Sequence, residues 1–319
     1  MKDLNDFRQF YKDQLAQIVD GLESIRNQAA SRKLTHLAIT GAVFILMCLG
    51  ILIWTELHKE MYDNRSLFFV FAFIICLIGF SIATRNCFDE YLYRYKDETV
   101  GNIITFIEPS LRYNPDGFIP IEHYRYSNLF EREPDRYTGS DMVWGMVGNT
   151  TIQFSQIHAE EEEEDTRTDE DGHTHTDTYW VTIFKGFLFV ADFNKEFNHP
   201  LILSPRKRGN TLMENPEFHR YFSVYGEDPI ETRYILSTSL MRRLVHLREI
   251  AEEDISVSFV PPYIYVAFPC ETLFSPPKYK RLDYELMETY FWYLYYMIGI
   301  VDILGLNTRI WSKQAPSVS

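Results

Sequence analysis

Two stretches of this chain hold apolar residues with no charge among them, and they frame the reading of the rest. LTHLAITGAVFILMCLGILIW, Leu34 to Trp54, runs 21 residues without Asp, Glu, Lys or Arg, and LFFVFAFIICLIGFSIA, Leu67 to Ala83, runs 17. At about 1.5 Å of rise per residue, each approaches the roughly 20 residues a helix needs to cross a bilayer. A signal peptide has a shorter apolar region and a small-residue cleavage site. The linker between them, TELHKEMYDNRS, is charged. The pattern predicts a transmembrane hairpin. Basic residues set its direction: Arg26, Arg32 and Lys33 precede the first span, Arg85, Arg94 and Lys96 follow the second, and the linker holds Lys59 and Arg65. That bias expects both termini on the cytoplasmic side.

Ahead of the first span, Leu4, Phe7, Tyr11, Leu15, Ile18, Leu22 and Ile25 recur at steps of three and four. Such spacing makes one apolar stripe on a helix. Two readings are open. Either the stripe packs on the protein's own cytoplasmic residues, or residues 4–25 form a self-association or partner-binding helix.

Beyond the hairpin the period changes. Residues from Cys87 to Ile107 predict a helix ending before Pro109, and YNPDGFI, Tyr113 to Ile119, carries a Pro-Asp-Gly turn. DMVWGMVGNTTIQFSQIHA, Asp141 to Ala159, alternates as strands do. YWVTIFKGFLFVADFNKEF, Tyr179 to Phe197, reads as two strands in a hairpin punctuated at Lys185-Gly186. Ser237, Thr238 and Ser239 can cap a helix running to Ala251, and Ile255 to Pro269 supplies two strands turned at Pro261-Pro262. Asp283 to Leu306 is very aromatic, but Glu285, Glu288 and Asp302 leave a longest uncharged run of 13 residues. That is short for spanning, so a helix packed on the sheet is expected, with an interfacial helix as the second reading.

The fold class expected is α+β. An amphipathic helix covers 1–33, a transmembrane hairpin 34–84 (spans 34–54 and 67–83), a cytoplasmic α+β domain with antiparallel hairpins 85–311, and a flexible tail 312–319.

Charge changes this picture at one place. HAEEEEEDTRTDEDGHTHTD, His158 to Asp177, holds ten carboxylates, three histidines and one arginine, so it supplies nine of the fourteen net negative charges. The remainder is only mildly acidic. With no basic stripe to meet phosphates, nucleic acid is excluded as a partner. Like charges and few apolar residues predict an extended, mobile acidic loop over 159–178 that acts as a spacer. His173 and His175, with Asp171, Asp169 or Asp177, are the only candidate ligands for a divalent ion, and no other cofactor is expected. A zinc site needs fixed ligand geometry, which such a loop does not provide. Cys48, Cys76, Cys87 and Cys270 show no metal-ligand spacing, and their scarcity leans towards a reducing compartment.

Catalytic motifs are missing: GxxxxGKS/T, GxGxxG, HExxH and GxSxG do not occur. Asp228, Glu231 and Arg233 lie close together in GEDPIETR and are the candidate ligand-binding cluster. Paired carboxylates suit acid–base work, but the same residues suit a helix start and an ion pair. Arg206-Lys207-Arg208 suits a phosphate or an anionic headgroup. The function expected is a membrane-anchored scaffold that binds a partner protein or itself, and more a binding protein than an enzyme. The alternative is a sensor or enzyme for a small ligand or metal at the inner membrane surface.

Five longer stretches carry a resemblance: WGMVGNTTIQFSQIHA, IFKGFLFVADFNKEF, ENPEFHRYFSVYGEDPIETRYILSTSLMRRL, SVSFVPPYIYVAF and LNTRIWSK. Together they resemble an uncharacterised bacterial family of two-span membrane proteins, the domain-of-unknown-function family thirty-one thirty-seven. The resemblance implies a bacterial inner-membrane protein with a cytoplasmic domain. It implies no catalytic or ligand residues.

Overall fold

The apolar runs lie inside two long helices. A computed structural model describes residues 2–57, 65–168, 174–205, 209–278 and 280–307, with the backbone alone at 65, 167, 168, 174 and 175. Contacts divide the chain into a helical unit, Leu4–Thr99 with Pro276–Met287, and a sheet unit, Val100–Ser275 with the chain from Glu288 onward.

In the helical unit, α1 (Leu4–Phe10), a π-type turn (Tyr11–Leu15) and α2 (Ala16–Leu57) form one helix of 54 residues. The return leg is α3 (Arg65–Thr84), followed by α4 (Asp89–Tyr95). The most apolar window of the first leg is 0% buried and that of the second 11%, so neither is the core helix of a soluble domain. Both are long and apolar enough to cross a membrane. Where the legs meet, Phe44 lies edge-on to Phe73 at 5.8 Å, Trp54 to Phe68 at 5.6 Å, and Cys76 Sγ is 4.0 Å from Met47 Sδ. Ala72, a small residue, sits fully in that seam. Thr55 turns its hydroxyl back to the Ile51 and Leu52 carbonyls, which keeps a polar group satisfied in an apolar setting.

The amphipathic stripe packs within the same unit. Phe7, Leu15, Val19, Leu22, Arg26 and Ala29 are buried. Tyr284 meets Tyr11 edge-on at 5.0 Å and Phe7 at 6.2 Å. From Leu15 onward the fully buried positions include Val19 and Arg26 beside Leu15 and Leu22, while Ile18 and Ile25 are half-buried. Glu23 holds Arg26 and also accepts the Leu282 N–H at 3.3 Å.

Among the described residues, the sheet unit contains eight antiparallel strands in the order β1-β2-β3-β4-β8-β7-β5-β6. They are β1 (Arg112–Asn114), β2 (Arg136–Val147), β3 (Thr150–Thr168), β4 (Thr174–Asp192), β5 (Leu201–Ser204), β6 (Ser223–Gly226), β7 (Ser256–Val260) and β8 (Tyr263–Pro269). The helices are α5 (Asn102–Ile107), α6 (Ile121–Tyr126), α7 (Pro229–Ile235), α8 (Thr238–Ala251) and α9 (Tyr284–Leu304), whose first turn belongs to the helical unit. The α+β expectation holds, as do the turn at Pro115-Asp116-Gly117, the α8 cap and the β7–β8 pair. Period-two alternation splits the long strands between two faces. Ile157, Leu188 and Tyr265 face α6, where Tyr124 stacks on Phe130 at 4.3 Å. Phe154, Phe187 and Phe189 form the other face, and Phe187 meets Phe274 edge-on at 5.9 Å.

Two expectations are corrected. Lys185-Gly186 is not a turn: β4 runs straight through it, and Gly186 is there because its strand approaches β8 too closely for a side chain. Nor is the acidic run a loop as far as it is described. Glu160–Thr168 pair with Thr182–Thr174 as an antiparallel arm, with a register shift at Ala159/Glu160. The pairing works because each acid of β3 except Asp165, which meets Asp177, faces a neutral or aromatic residue across the ladder.

Candidate functional site

On the Phe187 side of the sheet unit, two helices and a strand end enclose a cleft. Helix α8 starts at Ser237, whose Oγ accepts the Leu240 N–H at 3.4 Å, and buries Leu240, Met241, Leu244, Val245 and Leu247 on one face. It stops after Ala251, where Glu252 takes a left-handed conformation (φ 56°). Helix α9 buries Phe291, Leu294, Ile298 and Val301 at steps of three and four. Its adjoining face presents Trp292, Tyr293 and Tyr296, and the two tyrosines are 44% and 40% exposed. The third wall is the end of β8, Phe268 to Cys270.

The cleft has a volume of about 650 Å³, within the usual range for ligand sites. Its walls are mainly apolar: Phe187, Leu247, Ile250, Trp292, Met297 and Ile300. An apolar side chain buried there gains about 1.5–3 kcal/mol by leaving water. The polar lining consists of Thr289, Cys270 and three rim carboxylates, Glu252, Glu253 and Glu271. Glu271 pairs with Lys185, and its carbonyl accepts from Gln156 Nε2 at 3.2 Å. Burial pushes the Cys270 thiol up to about 11, so it stays protonated and is a poor nucleophile at neutral pH. The arrangement suits holding an apolar group beside a cation rather than activating a bond.

A second polar centre lies on the opposite sheet face. His123 Nδ1 is 3.1 Å from the Tyr265 hydroxyl, and Gln153 Nε2 is 2.9 Å from His123 Nε2. Burial lowers the His123 pKa and keeps the ring neutral. The geometry then assigns Gln153 as donor to Nε2 and His123 Nδ1–H as donor to Tyr265. This network ties α6 to β3 and β8.

The predicted ligand cluster is drawn into local structure. Asp228 caps α7, accepting from Ile230 N at 2.7 Å and Glu231 N at 3.3 Å. Glu231 turns away to the neighbouring loop and accepts from Asn198 N at 2.7 Å, His199 N at 2.9 Å and His199 Nδ1 at 2.8 Å. Burial opposes ionisation of Glu231, but these donors outweigh it and hold its pKa low, while the same carboxylate raises His199. Arg233 donates to the Pro229 carbonyl at 3.1 Å. Of the predicted metal ligands, His175 lies in β4 with Arg167 opposite it, and Asp171 and His173 lie outside the described residues, as does Arg206-Lys207-Arg208. Among the described residues no group of three or more His, Cys, Asp or Glu is placed to hold a metal. The cleft residues were not singled out from the sequence. The signal that pointed to them was a surplus of aromatic residues on α9 beyond what one buried face uses.

In class, then, this is an apolar helical hairpin followed along the chain by an α+β sheet domain. Residues 182–306, the segment from β4 to the end of α9, match the model of a family described as a protein of unknown function (DUF3137). The match coincides with the resemblance read from the sequence but is narrower, leaving out the hairpin, Trp144–Ala159 and the residues after Leu306. Every residue lining the cleft falls inside it. No curated protein and no solved structure matches the chain.

Proposed function

We propose that the chain is a binding module anchored in the bacterial inner membrane by its hairpin, with both termini cytoplasmic. Its cleft takes the apolar face of a basic amphipathic helix from a partner protein. The observation that carries this reading is a cleft with apolar walls beneath the exposed carboxylates of Glu252 and Glu253, with Glu271 beside them held by Lys185. Apolar anchors give affinity, and the rim charges favour Lys and Arg on the flanks of the incoming helix. The stripe of residues 4–25 is already packed on α2's own unit, so the cleft rather than the arm is the partner surface we favour.

The test uses full-length protein in lipid nanodiscs and two labelled synthetic helices, one Leu/Lys and one Leu/Glu, read by fluorescence anisotropy. The Leu/Lys helix binds, the Leu/Glu helix does not, and Ala251→Trp, which fills the cleft, removes binding. Equal binding of both helices, or unchanged binding by Ala251→Trp, refutes the reading.

A further inference from the structure

At the base of the hairpin the fold assembles a group of cations that no local stretch of sequence contains. Arg32 occupies the turn of α2 just before Leu34, and Arg85 directly follows α3. A third, Lys278, arrives from far along the chain. Arg26 Nη1 donates to the Lys278 carbonyl at 3.4 Å, and Tyr91 Oη donates to the Pro277 carbonyl at 3.0 Å. The Lys278 ammonium lies 5.9 Å from the centroid of the Phe88 ring. These contacts tie residues 277–278 to both legs of the hairpin.

Helix rise converts the anchors into depth. Phe88 lies five residues beyond Ala83, where the second span ends, and Arg26 lies eight before Leu34, so Lys278 sits about 7–12 Å outside the apolar spans. The headgroup layer extends roughly 5–8 Å beyond each side of the hydrocarbon core, and a lysine stem covers the difference. Arg32, Arg85 and Lys278 are exposed. Arg26 is not free to join them, because Glu23 neutralises it at 2.5 Å, and it serves as the clamp. Asp89 and Glu90 offset some of the charge, but they lie in the first turn of α4, further out than Arg85.

We propose that Arg32, Arg85 and Lys278 form a collar that binds the headgroups of anionic phospholipids. The inference rests on the anchored reading above. Because two hydrogen bonds hold the backbone at 277–278, Lys278 is presented in advance, and little ordering cost remains when a headgroup arrives.

Full-length protein is reconstituted with phosphatidylglycerol or with phosphatidylcholine, and retained lipids are counted by native mass spectrometry. Phosphatidylglycerol is retained over phosphatidylcholine, and Lys278→Gln lowers its retention about fivefold, the usual worth of one basic residue near such a surface. Lys12→Gln, on the arm about 33 Å before Leu34, leaves retention unchanged. Thermal melts confirm that both variants fold. Equal retention of the two lipids by the wild type, or wild-type retention by Lys278→Gln, overturns the collar and leaves the anchor standing. Displacement of the lipid by inorganic phosphate also overturns it, in favour of a free-anion site. Release of the wild type from bilayers by alkaline carbonate overturns both readings.

Discussion

Gly186→Ala tests the strand register and the cleft together. Gly186 has φ +155°, and a Cβ built on it would lie 2.0 Å from the Phe268 carbonyl oxygen and 2.9 Å from the Cys270 nitrogen. A carbon–oxygen contact needs about 3.3 Å, so β4 and β8 must part by roughly 1 Å or more. The ladder at that point joins Gly186 to Pro269 and Phe187 to Phe268, and Cys270 N donates to Lys185 O at 3.2 Å. Losing two such bonds costs about 1–3 kcal/mol, and forcing a side chain into positive φ adds about 1–2. The sum, about 2–5 kcal/mol, is a large share of ordinary domain stability. Gly21→Ala is the control: its Cβ meets nothing within 4 Å, and in a helix interior it should stabilise by about 0.5–1 kcal/mol. Thermal unfolding of the full chain in mild detergent, followed by near-UV circular dichroism, reads both. Since Phe268 and Cys270 wall the cleft, Gly186→Ala also weakens Leu/Lys helix binding before it unfolds the protein. A loss below about 1 kcal/mol, as for a glycine in an open loop, refutes the close approach.

The acidic arm should fray when its cations go: Arg132→Ala with Arg136→Ala speeds amide exchange over residues 161–166 and leaves residues 154–159 protected, whereas unchanged exchange means the pairs do nothing. Two histidines give opposite pH slopes. Burial lowers His123 below its ordinary 6.5, so its contribution is complete above about pH 6.5 and is lost as pH falls towards the folded value. Glu231 raises His199, so that contribution is complete below about 6.5 and is lost as pH rises through the folded value. Melting temperatures across about pH 5–8 check this: His123→Gln flattens the acid side and His199→Gln the neutral-to-alkaline side, and a slope of the other sign for either contradicts the assignment. In the hairpin, Ala72→Phe overpacks the seam beside Phe73 and Cys76 and lowers stability by about 1–3 kcal/mol, read by thermal release from membranes; no change places Ala72 outside the seam.

Much of the fold was legible in the sequence because uncharged length and period are local properties. Leu34–Trp54 and Leu67–Ala83 announce their helices without reference to anything else, and so do the Ser237 cap and the β7–β8 alternation. Gly186 misled because glycine serves two needs, a turn or a close approach, and only the partner strand decides between them. The cleft was hidden for the same reason. Its walls come from β4, α8, β8 and α9, which are far apart in sequence, and none of their side chains is unusual alone. Asp228, Glu231 and Arg233 were visible as a cluster, but proximity along the chain is not convergence. A proline at the first helical position put Asp228 at the cap and sent Glu231 to His199.

The acidic arm shows how net charge can mislead about secondary structure. Read as charge, residues 160–165 repel and should not order. Read as a ladder, Glu162 faces Trp180, Glu163 faces Tyr179 and Glu164 faces Thr178, and only Asp165 meets another acid, Asp177. The second strand, THTDTYWVTIF, is rich in the β-branched and aromatic residues that favour pleated structure. Alternation then separates the acids of the first strand onto two sides. On one side Arg132 reaches Glu161 and Glu163, both at 2.9 Å, and Tyr179 donates to Glu163 at 3.0 Å. On the other, Arg136 binds Glu160 at 2.6 Å while stacking over Trp180 at 4.3 Å. Both arginines come from the segment entering β2, so the charge that seemed to forbid order is matched by cations that only the sheet topology brings near. Charge density along a sequence sets the cost of ordering, but the cross-strand partners decide whether it is met.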